Sequence, residues 1–132
     1  MIDDERQVRT LIERWAAAVR AGDLDGVAAD HADDIVMHDV PENLRGIEAY
    51  RAAWPPFFGW LAQGVAFDIR SLEVTAGADV AYAHALLRCG PAEEEREARL
   101  RITFGLRKED GRWVVAHEHH SFPVVDPVAA EG

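Results

Sequence analysis

LRITFGLRKEDGRWVVAHEHHSF, residues 100–122, decides the fold of this 132-residue chain. Leu100, Ile102, Phe104 and Leu106 alternate with Arg99, Arg101, Thr103 and Gly105, the two-residue period of a strand with one apolar face. Glu109-Asp110-Gly111 reads as a tight hairpin turn, and Arg112 to Phe122 returns as a second strand. Upstream the same period continues. Val65 to Thr75 reads as a strand, Ala76-Gly77-Ala78-Asp79 as a turn, and Val80 to Cys89 as the next strand, closed by Gly90-Pro91. The charged run Glu93-Glu94-Glu95-Arg96-Glu97 reads as a solvated hairpin end that begins the strand after it.

Before residue 65 the period changes to that of helices. Val8, Leu11, Ile12, Trp15, Ala16 and Val19 form one stripe of a helix over Asp4–Ala21. Gly22 stops it and Asp23 caps a short second helix, with Leu24, Val27, Ala28 and Ala32 inward and an end near Asp33-Asp34. Ile35 to Val40 reads as a strand and Pro41 to Gly46 as a loop. Ile47, Tyr50 and Trp54 begin a third helix that Pro55-Pro56 is expected to interrupt, because proline lacks the N–H donor. A short piece with Phe57, Phe58, Trp60 and Leu61 follows. Helices followed by a run of strands favour an α+β fold. If one face of the sheet lines a pocket, the apolar face of Leu100, Ile102, Phe104 and Leu106 needs a second subunit to cover it, so a homodimer through that outer face is expected. One domain over residues 1–123 and a C-terminal tail over 124–132 are expected.

Composition removes several classes of function. The net charge of −10, from 24 acidic and 14 basic residues, repels phosphate backbones and anionic lipid. No nucleic-acid or membrane partner is expected. No apolar run approaches the roughly 18 residues of a membrane span, and the charged start Met1-Ile2-Asp3-Asp4-Glu5-Arg6 lacks a signal-peptide core. A cytoplasmic location is expected. The one cysteine, Cys89, excludes an intrachain disulfide and a cysteine-rich zinc site, and reads as a buried strand residue.

Four segments resemble the nuclear transport factor 2-like superfamily, most nearly its SnoaL-like branch. They are WAAAVRAGD (15–23), ADDIVMHDVP (32–41), RGIEAY (45–50) and TFGLRKEDGRWVVAHEHHSFP (103–123). The resemblance implies a cone: a curved, mixed, mostly antiparallel sheet with three N-terminal helices around an apolar pocket for a small hydrophobic molecule. Ketosteroid isomerases, scytalone dehydratase and polyketide cyclases belong to the superfamily. The isomerases' carboxylate base falls on Asp39 of this sequence, at the end of the first strand. Their helix tyrosine falls on Trp15 and their protonated aspartate on Thr103, so the two oxyanion donors are replaced. Steroid isomerase activity is not carried over.

Asp39 is the leading candidate for chemistry. A carboxylate at the mouth of an apolar cone is disfavoured in its charged form and so suits proton transfer beside a carbonyl. Its plainer reading is a strand-end aspartate bonding the Val40–Pro41 turn. In His117-Glu118-His119-His120, alternation separates Glu118 and His120 from His117 and His119. The resemblance puts Glu118 and His120 inward, where the glutamate would fix the histidine tautomer, and leaves the other two for surface or interface. The same pair also reads as a buried polar network. Trp15, Tyr50, Trp54, Phe58, Tyr82, His84, Arg101 and Thr103 complete the candidate ligand-binding set. For the aromatic residues among them plain core packing is the alternative, and for Arg101 an ion pair with an acidic neighbour. Histidine and carboxylate are good ligands for zinc or iron, but no metalloprotease helix motif is present. No cofactor and no metal are expected.

Three functions stay open on these residues. One is a cofactor-free proton-transfer enzyme, an isomerase, dehydratase or cyclase, with Asp39 as base, His120 as acid and Glu118 orienting it. The second is a non-catalytic binder of a small hydrophobic molecule. The third is a dimerisation or assembly module.

Overall fold

A computed structural model describes residues 2–91 and 98–123. The elements in chain order are α1 (Ile2–Ala21), α2 (Leu24–Ala28), β1 (His31–His38), β2 (Asn43–Arg45), α3 (Ile47–Leu61), β3 (Val65–Ala76), β4 (Val80–Pro91), β5 (Leu100–Glu109) and β6 (Arg112–Ser121). The six strands form one open sheet in the order β2-β1-β6-β5-β4-β3. All neighbours are antiparallel except β1 and β6, which run parallel. Register shifts in β1, in β3 and at Gly105/Leu106 bend the strands and curve the sheet. This is the mixed α+β architecture expected from the sequence.

The helices lie across the inner face. Val8, Ile12, Trp15, Ala16 and Val19 of α1 are buried, each of the larger ones contributing about 1.5–3 kcal/mol by leaving water. Asp3, Asp4 and Glu5 occupy the first turn of α1 and Arg20 its last, matching the helix dipole. Asp4 also ties the helix to the β5–β6 hairpin, accepting from Lys108 Nζ at 3.0 Å and from the Trp113 indole at 3.1 Å. At the other end Gly22, at φ 66°, donates to the Val19 carbonyl and Asp23 donates to that of Ala18. That pair of bonds is a Schellman stop, which needs a left-handed residue. The Asp23 carboxylate then accepts from the Gly26 N–H at 3.1 Å and caps α2.

Several boundaries differ from the expectation. The second helix ends at Ala28, and Ala32 belongs to β1, which starts at His31. Asp30 turns the chain at φ 55°, and the bulge between His31 and Val36 breaks the alternation that would have marked the strand's start. Asn43–Arg45 is a short edge strand rather than loop. The third helix is not interrupted: Ile47–Leu61 runs through Pro55 and Pro56. Both prolines are exposed while Trp54 is buried beneath them. The carbonyls that they leave without a donor are therefore near water, and the buried face holds the helix together.

The largest correction concerns β5. Leu100, Ile102, Phe104 and Leu106 are buried in the chain's own core, at 4%, 1%, 1% and 4% exposure. Phe104 meets Trp15 edge-on, with ring centroids 5.3 Å apart. These four residues do not form an outer face for a second subunit. The outer face instead carries Arg101 and Thr103 of β5, with Tyr82, His84 and Leu86 of β4 beside them. The charged run 93–97 and the tail 124–132 lie outside the described residues. Among the described residues no helix is long and apolar enough to cross a membrane.

Candidate functional site

Glu118 sits on the inner face of β6, opposite Phe104 on β5 and Met37 on β1. Its side chain is wholly buried, so its charge must be met from within the chain. Three donors meet it. His120 Nε2–H donates to Oε1 at 2.8 Å. His31 Nε2–H and the Tyr50 hydroxyl both donate to Oε2, each at 2.7 Å. His31 Nδ1 lies 2.8 Å from the Ala29 carbonyl. Both His31 nitrogens thus face acceptors, and the ring is held between the Ala29 carbonyl and the Glu118 carboxylate. The Tyr50 oxygen in turn accepts from the Trp15 indole at 2.9 Å.

Burial by itself would push the Glu118 carboxyl up. The hydrogen bonds from His120 and His31, and then the charges on those rings, outweigh it and hold the carboxyl down at about 2. Tyr50 moves the other way: burial, followed by the Glu118 charge and its hydrogen bond, raises the phenol well above its ordinary value. Glu118 is therefore a permanent carboxylate and Tyr50 a permanent donor at neutral pH.

His120 carries this network to a cavity. With Nε2 committed to Glu118, His120 turns Nδ1 outward, 4.0 Å from Asp39 Oδ1. His120 and Asp39 both line a cavity of about 440 Å³. The rest of its wall is apolar, from Met37, Phe67, Cys89 and Leu100 on the sheet and from Trp54, Phe57 and Trp60 on α3. Asp39 follows the last residue of β1. Its Oδ1 accepts the Val40 N–H at 2.8 Å, and its own N–H donates to the Glu42 carbonyl. The residue thus holds the turn and presents the same carboxylate to the cavity. Trp54, also on the wall, has a buried indole N–H that makes no hydrogen bond, although the Tyr50 ring is in contact with its own.

The structure brings together Asp39, Glu118 and His120 and puts Trp54 beside them. It places the other candidates elsewhere. Trp15 and Tyr50 are buried, and their polar atoms are spent on each other and on Glu118. Phe58 stacks on Trp54 with ring centroids 6.2 Å apart, behind the cavity wall. Tyr82, His84, Arg101 and Thr103 are exposed on the outer face of the sheet. There His84 lies 3.6 Å from Glu73 and Arg101 bonds the Ser121 hydroxyl at 3.1 Å, with no acidic partner among the described residues. Thr103 and Trp15 therefore do not meet in the cavity as oxyanion donors.

His31 is the site residue that sequence reasoning missed. It lies at the helix–strand boundary, and its partner Glu118 is 87 residues away. The one local signal is a histidine among acidic residues, Asp30-His31-Ala32-Asp33-Asp34, which says nothing about burial. The inner set does not invite a metal, because both Glu118 oxygens are already occupied by hydrogen-bond donors.

A family profile for the SnoaL-like domain matches residues 8–125. Among solved structures, a nuclear transport factor 2-like protein of unknown function from Pseudomonas putida is 39% identical, with a TM-score of 0.87 over 97% of this chain and 92% of that one. A nuclear transport factor 2-like protein with a cystatin-like fold from Novosphingobium aromaticivorans is 18% identical, with a TM-score of 0.78 over 98% and 88%. A candidate ketosteroid isomerase from Shewanella frigidimarina is 19% identical, with a TM-score of 0.71 over 85% and 92%. The last two show likeness of fold alone. No curated protein matches the chain.

Proposed function

This chain belongs to the SnoaL-like domain family, and from that premise we propose that it is a cofactor-free proton-transfer enzyme acting on a small hydrophobic carbonyl compound. One observation carries the reading: a histidine whose far nitrogen is held by a buried carboxylate, and whose near nitrogen faces a second carboxylate across an apolar cavity. Glu118 fixes the Nε2 hydrogen of His120, so the hydrogen available for exchange with a ligand is the one on Nδ1. Asp39 is the base. It takes the proton from the carbon next to the carbonyl, the electron pair moves into the C–C bond, and the carbonyl π pair moves to oxygen. The protonated form of His120 gives its Nδ1–H to that oxygen as the enol forms, leaving a neutral ring whose remaining hydrogen stays on Nε2 toward Glu118. Return of a proton to a different carbon gives isomerisation, and expulsion of a β-hydroxyl gives dehydration.

The same cavity supports the alternative of a non-catalytic binder. An open cavity of this size weighs against an assembly module with a solid core.

The test is proton exchange in D2O. A panel of hydrophobic ketones is incubated with the native chain, with Asp39→Asn and with His120→Gln, and deuterium uptake beside the carbonyl is followed by NMR. Binding is followed in parallel by tryptophan fluorescence. The expected result is uptake with the native chain, a loss of at least about 100-fold in Asp39→Asn, and binding unchanged in that variant. Ketones that bind all three proteins without faster exchange in the native one would leave the binder in its place.

A further inference from the structure

The back of the site's own two strands carries a second cluster. His38 on β1 lies directly beside His119 on β6, and His117 is two residues along on the same outer face. One ring nitrogen from each of the three lies within 4.8 Å of the others. The rings meet edge to face, with centroids 5.0 Å apart for His38–His117 and 5.6 Å for His38–His119. We propose that His38, His117 and His119 form a binding site for a divalent transition-metal ion, with Zn2+ the ion its geometry suits.

Four observations support this. First, the ligands are of the right kind: neutral imidazole binds zinc, and three such ligands leave a fourth position open to water. Second, His117 Nδ1 lies 2.8 Å from the Val36 carbonyl. That bond places the hydrogen on Nδ1 and leaves the Nε2 lone pair outward, the way metal-bound histidines are held by a backbone acceptor. Third, among the described residues no carboxylate pairs with any of the three rings and no hydrogen bond engages His38 or His119. Three imidazoles therefore face one another with lone pairs unspent. Fourth, the residue opposite His117 on β5 is Gly105; a Cβ there would crowd the His117 Cβ at 3.3 Å, so the glycine leaves His117 its place on this face. Loading would draw the three nitrogens from within 4.8 Å of one another to the roughly 3.3 Å spacing of a tetrahedral zinc site.

This site is separate from the cavity. Its ligands alternate along β1 and β6 with the inner residues, so it can be loaded without touching His120 or Glu118.

The experiment titrates the full chain, stripped with chelator, with ZnCl2 by calorimetry at pH 7.5, and repeats the titration with CoCl2 to read the visible absorption of tetrahedral Co2+. The variants are His38→Ala, His117→Ala and His119→Ala. His84→Ala, another exposed histidine on the outer face, is the control. The expected result is one ion per chain, visible Co2+ bands, affinity at least about tenfold weaker in each of the three variants, and no change in the control. Equal weakening in His84→Ala would overturn the site in favour of scattered surface binding. A stoichiometry of one ion per two chains would overturn it in favour of a site shared between copies. Absence of saturable binding at micromolar protein would overturn it outright.

Discussion

Replacing Glu118 by Gln keeps the shape of the side chain and removes its charge. At neutral pH the native carboxylate receives three hydrogen bonds. The amide of Gln has one oxygen and one NH2. If the oxygen takes the two donors at Oε2, the NH2 faces His120, which must give up its Nε2 hydrogen and become an acceptor there. His31 and Tyr50 then face a neutral acceptor in place of an ionised one. Removing the charged member of a buried, hydrogen-bonded cluster costs about 3 kcal/mol or more. The depression of the Glu118 carboxyl points to a similar figure. Its folded value of about 2 lies below the ordinary 4.5, a difference of about 2.5 units or about 3 kcal/mol. Because the folded value is the lower one, the contribution is complete above pH 4.5 and drains away as the pH falls from there to about 2. Urea unfolding of native and variant chains from pH 7 down to pH 2.5 should show a gap of about 3 kcal/mol at pH 7, a fall in midpoint of about 1–2 M, closing across that acid window. A gap below about 1 kcal/mol at pH 7, or one that does not change with pH, would refute the reading of Glu118 as a buried carboxylate held by its donors.

Two further outcomes test the fold. Phe104→Ala should cost about 3–5 kcal/mol as an internal cavity, whereas its outward neighbour Thr103→Ala should stay within about 0.5 kcal/mol. Equal effects in thermal or urea melts would reverse the two faces of β5. Gly111→Ala should lower stability by about 1 kcal/mol through its φ of 79° alone, since nothing lies within 4 Å of an added Cβ. A neutral result in the same melts would mean that the hairpin turn relaxes freely.

What the sequence showed best was local. The β5–β6 hairpin was legible because Asp110-Gly111 allows positive φ at both turn positions and alternation brackets it. The stop at Gly22 was legible because glycine takes a positive φ, and the cap at Asp23 because its side chain accepts a helix N–H. Which face of β5 points inward was misread because the pocket was given to the opposite face and the apolar stripe to a second subunit. The period of a strand is two, so that one assignment reversed the face of every neighbour. The plain apolar pattern, Leu100 to Leu106, held the right answer. Alternation paired Glu118 with His120, and the family resemblance turned that pair inward and singled out Asp39. His31 could not be found either way, because only the parallel pairing of β1 with β6 brings it to Glu118 and no local pattern encodes a contact 87 residues long.

That same pairing has a kinetic side. β1 is built early in the chain, yet its hydrogen-bonded neighbour on the inner side of the sheet is the last strand, β6. Until β6 is present, β1 and β2 have only each other and α3 to pack on, and a two-stranded ribbon is marginal in water, while β3, β4 and β5 can zip together through neighbouring turns. The ribosome must therefore release most of the chain before the first third can dock, and the loop closed by that docking is long and entropically slow. The last contact made is the one that completes the acid–histidine network. A nascent chain halted near residue 110 should thus carry a formed meander and no site, exposing apolar strand surface at the moment when aggregation is easiest.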